Sequence, residues 1–202
     1  MESFETKVTP ETELVLDGFP GSGNSYLSRV IKTTQDPPIR MAHHLHASNQ
    51  LVLASKRKIP ALMVLRKPED AICSTYRRFG YPLASATKLY WRFHEGLENH
   101  LDGIMVARFE DITKHPGAVL QSLGERFGLS LRCDFPKTEL DGLWAIGKAL
   151  EEATEEELQS KRDAKAALRD RLHQQVSAVD LERADKIYQR LSAACVQINT
   201  EG

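Results

Sequence analysis

Apolar residues along this chain follow two periods. Three short apolar runs stand out: residues 14–16 (LVL), 59–66 (IPALMVLR) and 103–109 (GIMVARF). Runs of this length suit strands covered on both faces, as in a parallel sheet. Elsewhere apolar residues recur at helical spacing: Leu27, Val30 and Ile31; then Val119, Leu120, Leu123 and Phe127, with Gly128 as a stop; then Leu181, Ala184, Tyr188 and Leu191. Asn24 or Ser25 can cap the first of these helices, and the two prolines of QDPPIR end it. MAHHLHASNQLVLASKRK holds three histidines and then a second helix. Pro68, followed by Glu69 and Asp70, suits the first turn of a helix after the second apolar run. Strands alternating with helices predict an α/β fold with a mainly parallel sheet flanked by helices.

The pattern changes after about residue 130. EEATEEELQSKRDAKAALRDRLHQQ is highly charged and favours helix, with few large apolar residues, and reads as a solvated helix or mobile arm. The segment DLERADKIYQRL carries one apolar face and reads as a terminal helix that docks. The expected organisation is a single domain over 1–202, with an α/β core over 13–130 and a mostly helical C-terminal extension over 131–202. There are no internal repeats.

Charge and composition narrow the classes of function. Of 202 residues, 41% are hydrophobic and 27% charged, and the formal net charge is −1. That balance speaks against bulk nucleic-acid binding, which needs a basic excess. Three widely spaced cysteines, Cys73, Cys133 and Cys195, with no CxxC pair, imply neither a disulfide framework nor a zinc site. A reduced, cytoplasmic protein is expected. No apolar run is long enough to span a membrane, and the polar, acidic start MESFETKVTPETE does not read as a signal peptide.

Two stretches carry candidate chemistry. The first, GFPGSGNSYL (18–27), follows the first apolar run and leads into a helix. Helix N-terminal N–H groups attract anions, and Gly21 and Gly23 allow close backbone approach. Ser22, Asn24 and Ser25 add side-chain donors. The Walker pattern GxxxxGK[ST] is absent, and the loop has no lysine. The plain alternative is a strand–helix turn. The second, LRKPEDAICSTYRRFG, sets Arg66 at a strand end and Ser74 about two turns into the next helix. A guanidinium and a hydroxyl there can hold a second phosphate, since ligands bind at the carboxyl ends of parallel strands. By itself this stretch also reads as a surface arginine and a helix serine.

Taken together and in order, the stretches resemble the sulfotransferases that use 3′-phosphoadenylyl sulfate. FPGSGNSY (19–26) stands where that family has a phosphosulfate loop often written YPKSGTTW. RKPEDAICS (66–74) matches the family's R-x-P-x-D-x-x-x-S at Arg66, Pro68, Asp70 and Ser74. VARFEDITKHPGAVLQSLGERFGL resembles the family's next strand, turn and helix. The resemblance spans roughly residues 13–130. It implies a P-loop nucleotide-kinase-like three-layer sandwich and sulfuryl transfer from 3′-phosphoadenylyl sulfate to a hydroxyl acceptor, a glycan or small metabolite, leaving adenosine 3′,5′-bisphosphate. It implies that Gly21, Ser22, Gly23, Asn24 and Ser25 hold the 5′-phosphosulfate, that Tyr26 lies near adenine, and that Arg66 and Ser74 hold the 3′-phosphate. Asp70 would orient its helix.

The departures are specific. Gly21 stands where many members have a lysine that stabilises charge on the bridging oxygen. Arg29, Lys32 and Arg40 are candidate replacements. The family's late RKG-type segment has no clear counterpart; Arg132, the stretch around Lys137 and SKR (160–162) are candidates.

For the base, AHHL aligns with the family's KTHL segment, which puts His44 on its catalytic histidine, with His43 and His46 as competitors. No Cys, Asp or Glu joins the histidines locally, so no metal is expected. Tyr90, Trp91, Phe93 and His94 either line an acceptor groove or, as their helical spacing favours, belong to the core. Two other readings stay open. One is a non-catalytic nucleotide-binding protein on this fold; the other is a kinase-like phosphoryl transferase, for which Asp17 is the one nearby carboxylate.

Overall fold

The computed structural model describes residues 7–145 and 155–198. Among them, four strands form one sheet: β1 (Leu14–Gly18), β2 (Met41–His43), β3 (Ala61–Leu65) and β4 (Met105–Arg108). Their order is β2-β1-β3-β4, and every pairing is parallel. The three apolar runs are the three longer strands. The edge strand β2 went unread because it has only three residues and ends in histidine.

The alternation of strand side chains makes two cores. Leu14, Leu16, Leu62, Val64, Met105 and Ala107 face one layer, packed on α1 (Asn24–Thr34), α5 (Phe109–Lys114), α6 (Pro116–Phe127) and α7 (Lys137–Ala145). Val15, Ala61, Met63, Leu65 and Val106 face the other. That layer holds α2 (Ser48–Arg57), α3 (Pro68–Phe79), α4 (Leu83–His94), α8 (Glu155–Gln175) and α9 (Ala178–Ala193). The protein is thus an α/β three-layer sandwich around a parallel sheet. Tyr90, Trp91, Phe93 and His94 are buried in the second core. The ring of Phe19 meets that of Tyr90 edge-on at 5.1 Å.

Local signals explain the boundaries of α3 and the end of α6. Pro68 is at the first turn of α3, with Glu69 and Asp70 at its positive end, and left-handed Gly80 (φ 70°) closes it. Gly128 ends α6 in the same way. The start of α1 differs from expectation. Its N-cap is Gly23, in a left-handed conformation (φ 92°), and Asn24 and Ser25 lie inside the first turn without capping it.

The charged C-terminal stretch is a helix from Glu155 onwards; residues 151–154, like the N-terminal residues 1–6, lie outside the described residues. α8 is mostly exposed and docks through Leu168 and Leu172. Ion pairs tie it to α3: Lys165 to Asp70 at 3.1 Å, Arg169 to Asp70 at 2.6 Å and His173 to Glu69 at 2.6 Å. α9 buries Ala184, Ile187, Tyr188 and Leu191 as its pattern predicts, with Leu181 partly buried. Beyond it, the Val196 amide donates to the Val106 carbonyl, so Cys195 and Val196 lie along β4.

The topology dictates where a ligand belongs. From β1 the chain crosses to β2 on one side; from β3 it crosses to β4 on the other. A crevice opens between oppositely directed connections at the carboxyl ends of β1 and β3. Residues 19–26 follow β1, and Arg66 follows β3 directly.

Candidate functional site

The loop after β1 is shaped by backbone rather than by side chains. Gly21 (φ 79°) and Gly23 (φ 92°) both adopt left-handed conformations. A Cβ on Gly21 would lie 2.7 Å from the Ser74 hydroxyl oxygen, and one on Gly23 would lie 2.8 Å from Ile112. In this turn a side chain at position 21 would have to displace Ser74. The Asn24 amide group donates to the Gly18 carbonyl at 3.0 Å and closes the loop, while its Oδ1 is buried without a partner among the described residues. The Ser22 side chain is fully buried, and its backbone N–H is already bonded to the Phe19 carbonyl. Ser22 and Asn24 thus build the loop, while Gly21, Gly23, Asn24 and Ser25 line a cleft of about 530 Å³ with Tyr26, Arg29, Ser74, Arg78 and Phe109. Its floor is the start of α1, an anion-attracting helix end.

The second half of the cleft is built from side-chain charge. Arg66 donates from Nη1 to the Gly21 carbonyl at 2.6 Å and stacks 4.0 Å above the Phe109 ring. Its Nε is buried without a partner among the described residues. Burial lowers the Arg66 pKa, with Asp70 and Glu110 acting against this. Ser74 and Arg78 are shared with a second hollow of about 460 Å³, which Arg66, Arg77 and Lys165 complete. Asp70 lies in that hollow and binds Lys165 and Arg169; burial raises its pKa, but these two cations more than offset that and leave it lowered.

The histidines occupy distinct positions. His43 is buried at the end of β2. His44 has both ring nitrogens engaged, Nδ1 with His43 Nδ1 and Nε2 with the Ser25 hydroxyl at 2.9 Å. Burial, reinforced by the neighbouring histidines, Lys32 and Arg78, lowers its pKa to about 4. His46 donates from Nδ1 to the Gly18 carbonyl at 2.8 Å, which leaves Nε2 as the ring's acceptor. Its backbone N–H donates to Asp17 Oδ1 at 3.2 Å, and its Nδ1 lies 3.6 Å from the same oxygen. That bond holds His46 in its left-handed conformation (φ 51°). Asp17 is fully buried beneath it, also accepting from the Gly18 N–H and Gln50. Burial pushes the Asp17 carboxyl up to about 6, against the pull of these donors and His46.

His46 lines the cleft beside the β1 loop on one side and a third cavity, of about 470 Å³, on the other. Phe19, Phe79, Tyr81 and Phe93 give that cavity an apolar wall.

The structure is similar to the crystal structure of mouse sulfotransferase SULT7A1 complexed with PAP, at 17% identity and a TM-score of 0.48, with 75% of this chain and 70% of that chain covered. No family model matches the sequence, and no curated protein matches it.

Several other expectations now have positions. Among the described residues, no three His, Cys, Asp or Glu side chains are grouped to hold a metal ion, and no helix is long and apolar enough to cross a membrane. The three cysteines are free, and Cys73 and Cys195 are buried. Arg40 pairs with Glu13 and Arg132 with Glu139, each away from the residues lining the cleft. Lys161 and Arg162 of SKR are exposed and line neither half; the contributing cation on α8 is Lys165, one turn further on. The Lys137 side chain lies outside the described residues. Arg77 and Arg78 were not among the candidates, although they stand three and four residues after Ser74 and hence on its helix face. Nothing in the sequence marked Lys165, which tertiary docking alone brings to α3.

Proposed function

We propose that this protein is a sulfotransferase that moves a sulfuryl group from 3′-phosphoadenylyl sulfate to a hydroxyl acceptor. One observation carries the reading: a backbone-made anion cradle and a side-chain-made cationic hollow join in one cleft at the sheet's switch point, sharing Ser74 and Arg78. Two anion sites of different construction fit a nucleotide phosphorylated at two separate positions. Left-handed Gly21 and Gly23 bring the loop close to Ser74 and Ile112, which sets the cradle beside the cationic hollow.

In this reading the amides of Gly23, Asn24 and Ser25 face the 5′ group, and Arg66, Ser74 and Arg78 take the 3′-phosphate. When bound, the donor supplies the sulfuryl group. The protein contributes position and fixed donors aimed at developing charge. With no lysine at position 21, that charge falls to loop N–H groups and to Arg78 or Arg29 at the rim. His46 is the proposed base. Its Nδ1–H is held by Gly18, its Nε2 is an acceptor, and it borders both the anion cleft and the apolar cavity. His44, the residue the motif alignment favours, has both ring nitrogens occupied and supports Ser25 instead.

The test starts with binding. Adenosine 3′,5′-bisphosphate at a hundredfold excess over its Kd should stabilise the protein by about 2.7 kcal/mol, and ATP far less. Equal shifts would remove the cofactor assignment. With an acceptor in hand, His46→Ala should cut turnover by about 10²–10⁴-fold at unchanged bisphosphate affinity. Full turnover in that variant would return the role to His44. Tight bisphosphate binding without transfer to any hydroxyl would favour a non-catalytic nucleotide-binding protein.

A further inference from the structure

The cavity on the far side of His46 differs in kind from the anion cleft. Its floor is Phe19 and Phe93, both buried. Its rim uses surface that a folded chain normally hides. Among the described residues five large hydrophobic side chains are exposed, and four of them, Leu45, Phe79, Tyr81 and Leu89, line this one cavity. Scattered apolar residues need no explanation, but a contiguous set around a concavity marks a binding site. Local structure enforces the cluster. α3 ends at left-handed Gly80, so Phe79 and Tyr81 flank the turn with rings stacked 6.0 Å apart. On α4, Leu89, Arg92 and Phe93 share one helix face.

The polar side chains of the wall are His46, Ser48, Asn49, Thr75, Tyr81 and Arg92, and its charge is one-sided. The Thr75 hydroxyl is already bonded to the Pro20 and Ala71 carbonyls. No carboxylate lines the cavity. Apart from His46, its one basic side chain is Arg92, which is exposed, makes no ion pair among the described residues and is steadied 5.3 Å from the Trp91 ring. A sugar would set hydroxyls against the apolar stretch of Phe19, Leu45, Phe79, Leu89 and Phe93, which offers them no partners. An amine would meet a cation.

We propose that this cavity binds a small hydroxyl compound with an aromatic or alicyclic body, its hydroxyl towards His46 and an anionic group, such as a carboxylate, at Arg92. The direction of the hydroxyl rests on the sulfuryl-transfer reading; the apolar body and the anionic group rest on the cavity alone.

The probes are 3-(4-hydroxyphenyl)propionate, its methyl ester, tyramine and methyl glucoside, titrated calorimetrically with and without adenosine 3′,5′-bisphosphate. The carboxylate should bind about tenfold tighter than the ester, the worth of one partly exposed charge-assisted contact. Tyramine should be weakest among the phenols, and the glucoside should not compete. Arg92→Gln should abolish the preference for carboxylate over ester while leaving the ester's affinity unchanged, and Arg92→Lys should keep part of it. Leu89→Asn should weaken carboxylate and ester alike. An ester that matches the carboxylate, a glucoside that displaces it, or a preference that survives Arg92→Gln would each overturn the proposal. The nucleotide arm separates the two claims: bisphosphate binding without carboxylate preference ends this inference alone, and carboxylate preference without bisphosphate binding ends the cofactor reading alone.

Discussion

The two halves of the cleft are made of different materials. The loop after β1 is a backbone structure: left-handed glycines, amides at a helix start, and side chains such as Asn24 and Asp17 that hold the turn. The hollow after β3 is a side-chain structure, with Arg66, Arg77, Arg78 and Lys165 converging from β3, α3 and α8. A backbone cradle is rigid and fails when its shape is disturbed. A hollow of mobile cations shares its work and fails by degrees, except where one cation is buried. Arg66 is that exception, fixed between the Gly21 carbonyl and the Phe109 ring.

The largest effect should follow from removing that fixed cation. Arg66→Ala should weaken adenosine 3′,5′-bisphosphate by about 1.5–3 kcal/mol, relative to the smaller loss for AMP. Calorimetric titration of both ligands measures the difference; equal losses would mean that the two halves do not act separately.

Gly21→Ala probes the cradle through shape. The left-handed conformation alone costs a residue with a Cβ about 1–2 kcal/mol, and the contact with Ser74 adds to it. AMP and the bisphosphate should both weaken, and Gly21→Lys should not restore any function of the missing lysine. Better turnover in Gly21→Lys would show that the loop and Ser74 give way readily.

The Asp17 carboxyl beneath the cradle gives a pH signature. Its folded pKa, about 6, lies above the ordinary 3.8. Its contribution to stability is therefore complete below pH 3.8 and is lost as pH rises to about 6. Relative to Asp17→Asn, the wild type should lose stability across that window, by at most about 1.4 kcal/mol per pH unit. Comparing the two proteins removes the opposite drift of His43, His44 and His94, whose lowered pKa values make acid destabilising. Denaturant midpoints from pH 4 to pH 7 measure it, and parallel curves would mean that Asp17 is not desolvated.

Lys165→Ala should have the smallest effect. The side chain is exposed and already paired with Asp70, so the bisphosphate should weaken by less than about 1 kcal/mol, and less again at high salt. A loss as large as that of Arg66→Ala would make α8 a principal wall of the site.

The sequence by itself determined the α/β class, three of the four strands and the helix ends at the QDPPIR prolines, Pro68 and Gly128, because apolar runs, helical periodicity and Gly or Pro punctuation act over a few residues. The loop from Gly21 to Ser25 and the pair Arg66 and Ser74 stood out as candidates for the same reason: each motif is continuous in the chain. What no local pattern carried was decided by packing. The strand at Met41–His43 exists because β1 offers it an edge, and Ser74 crowds position 21 because α3 packs across the loop. Asp17 turns His46 towards two cavities at once, and α8 reaches the cationic hollow through Asp70. These are meetings of residues far apart in sequence, and only the arrangement of layers around the sheet fixes which of them come within reach.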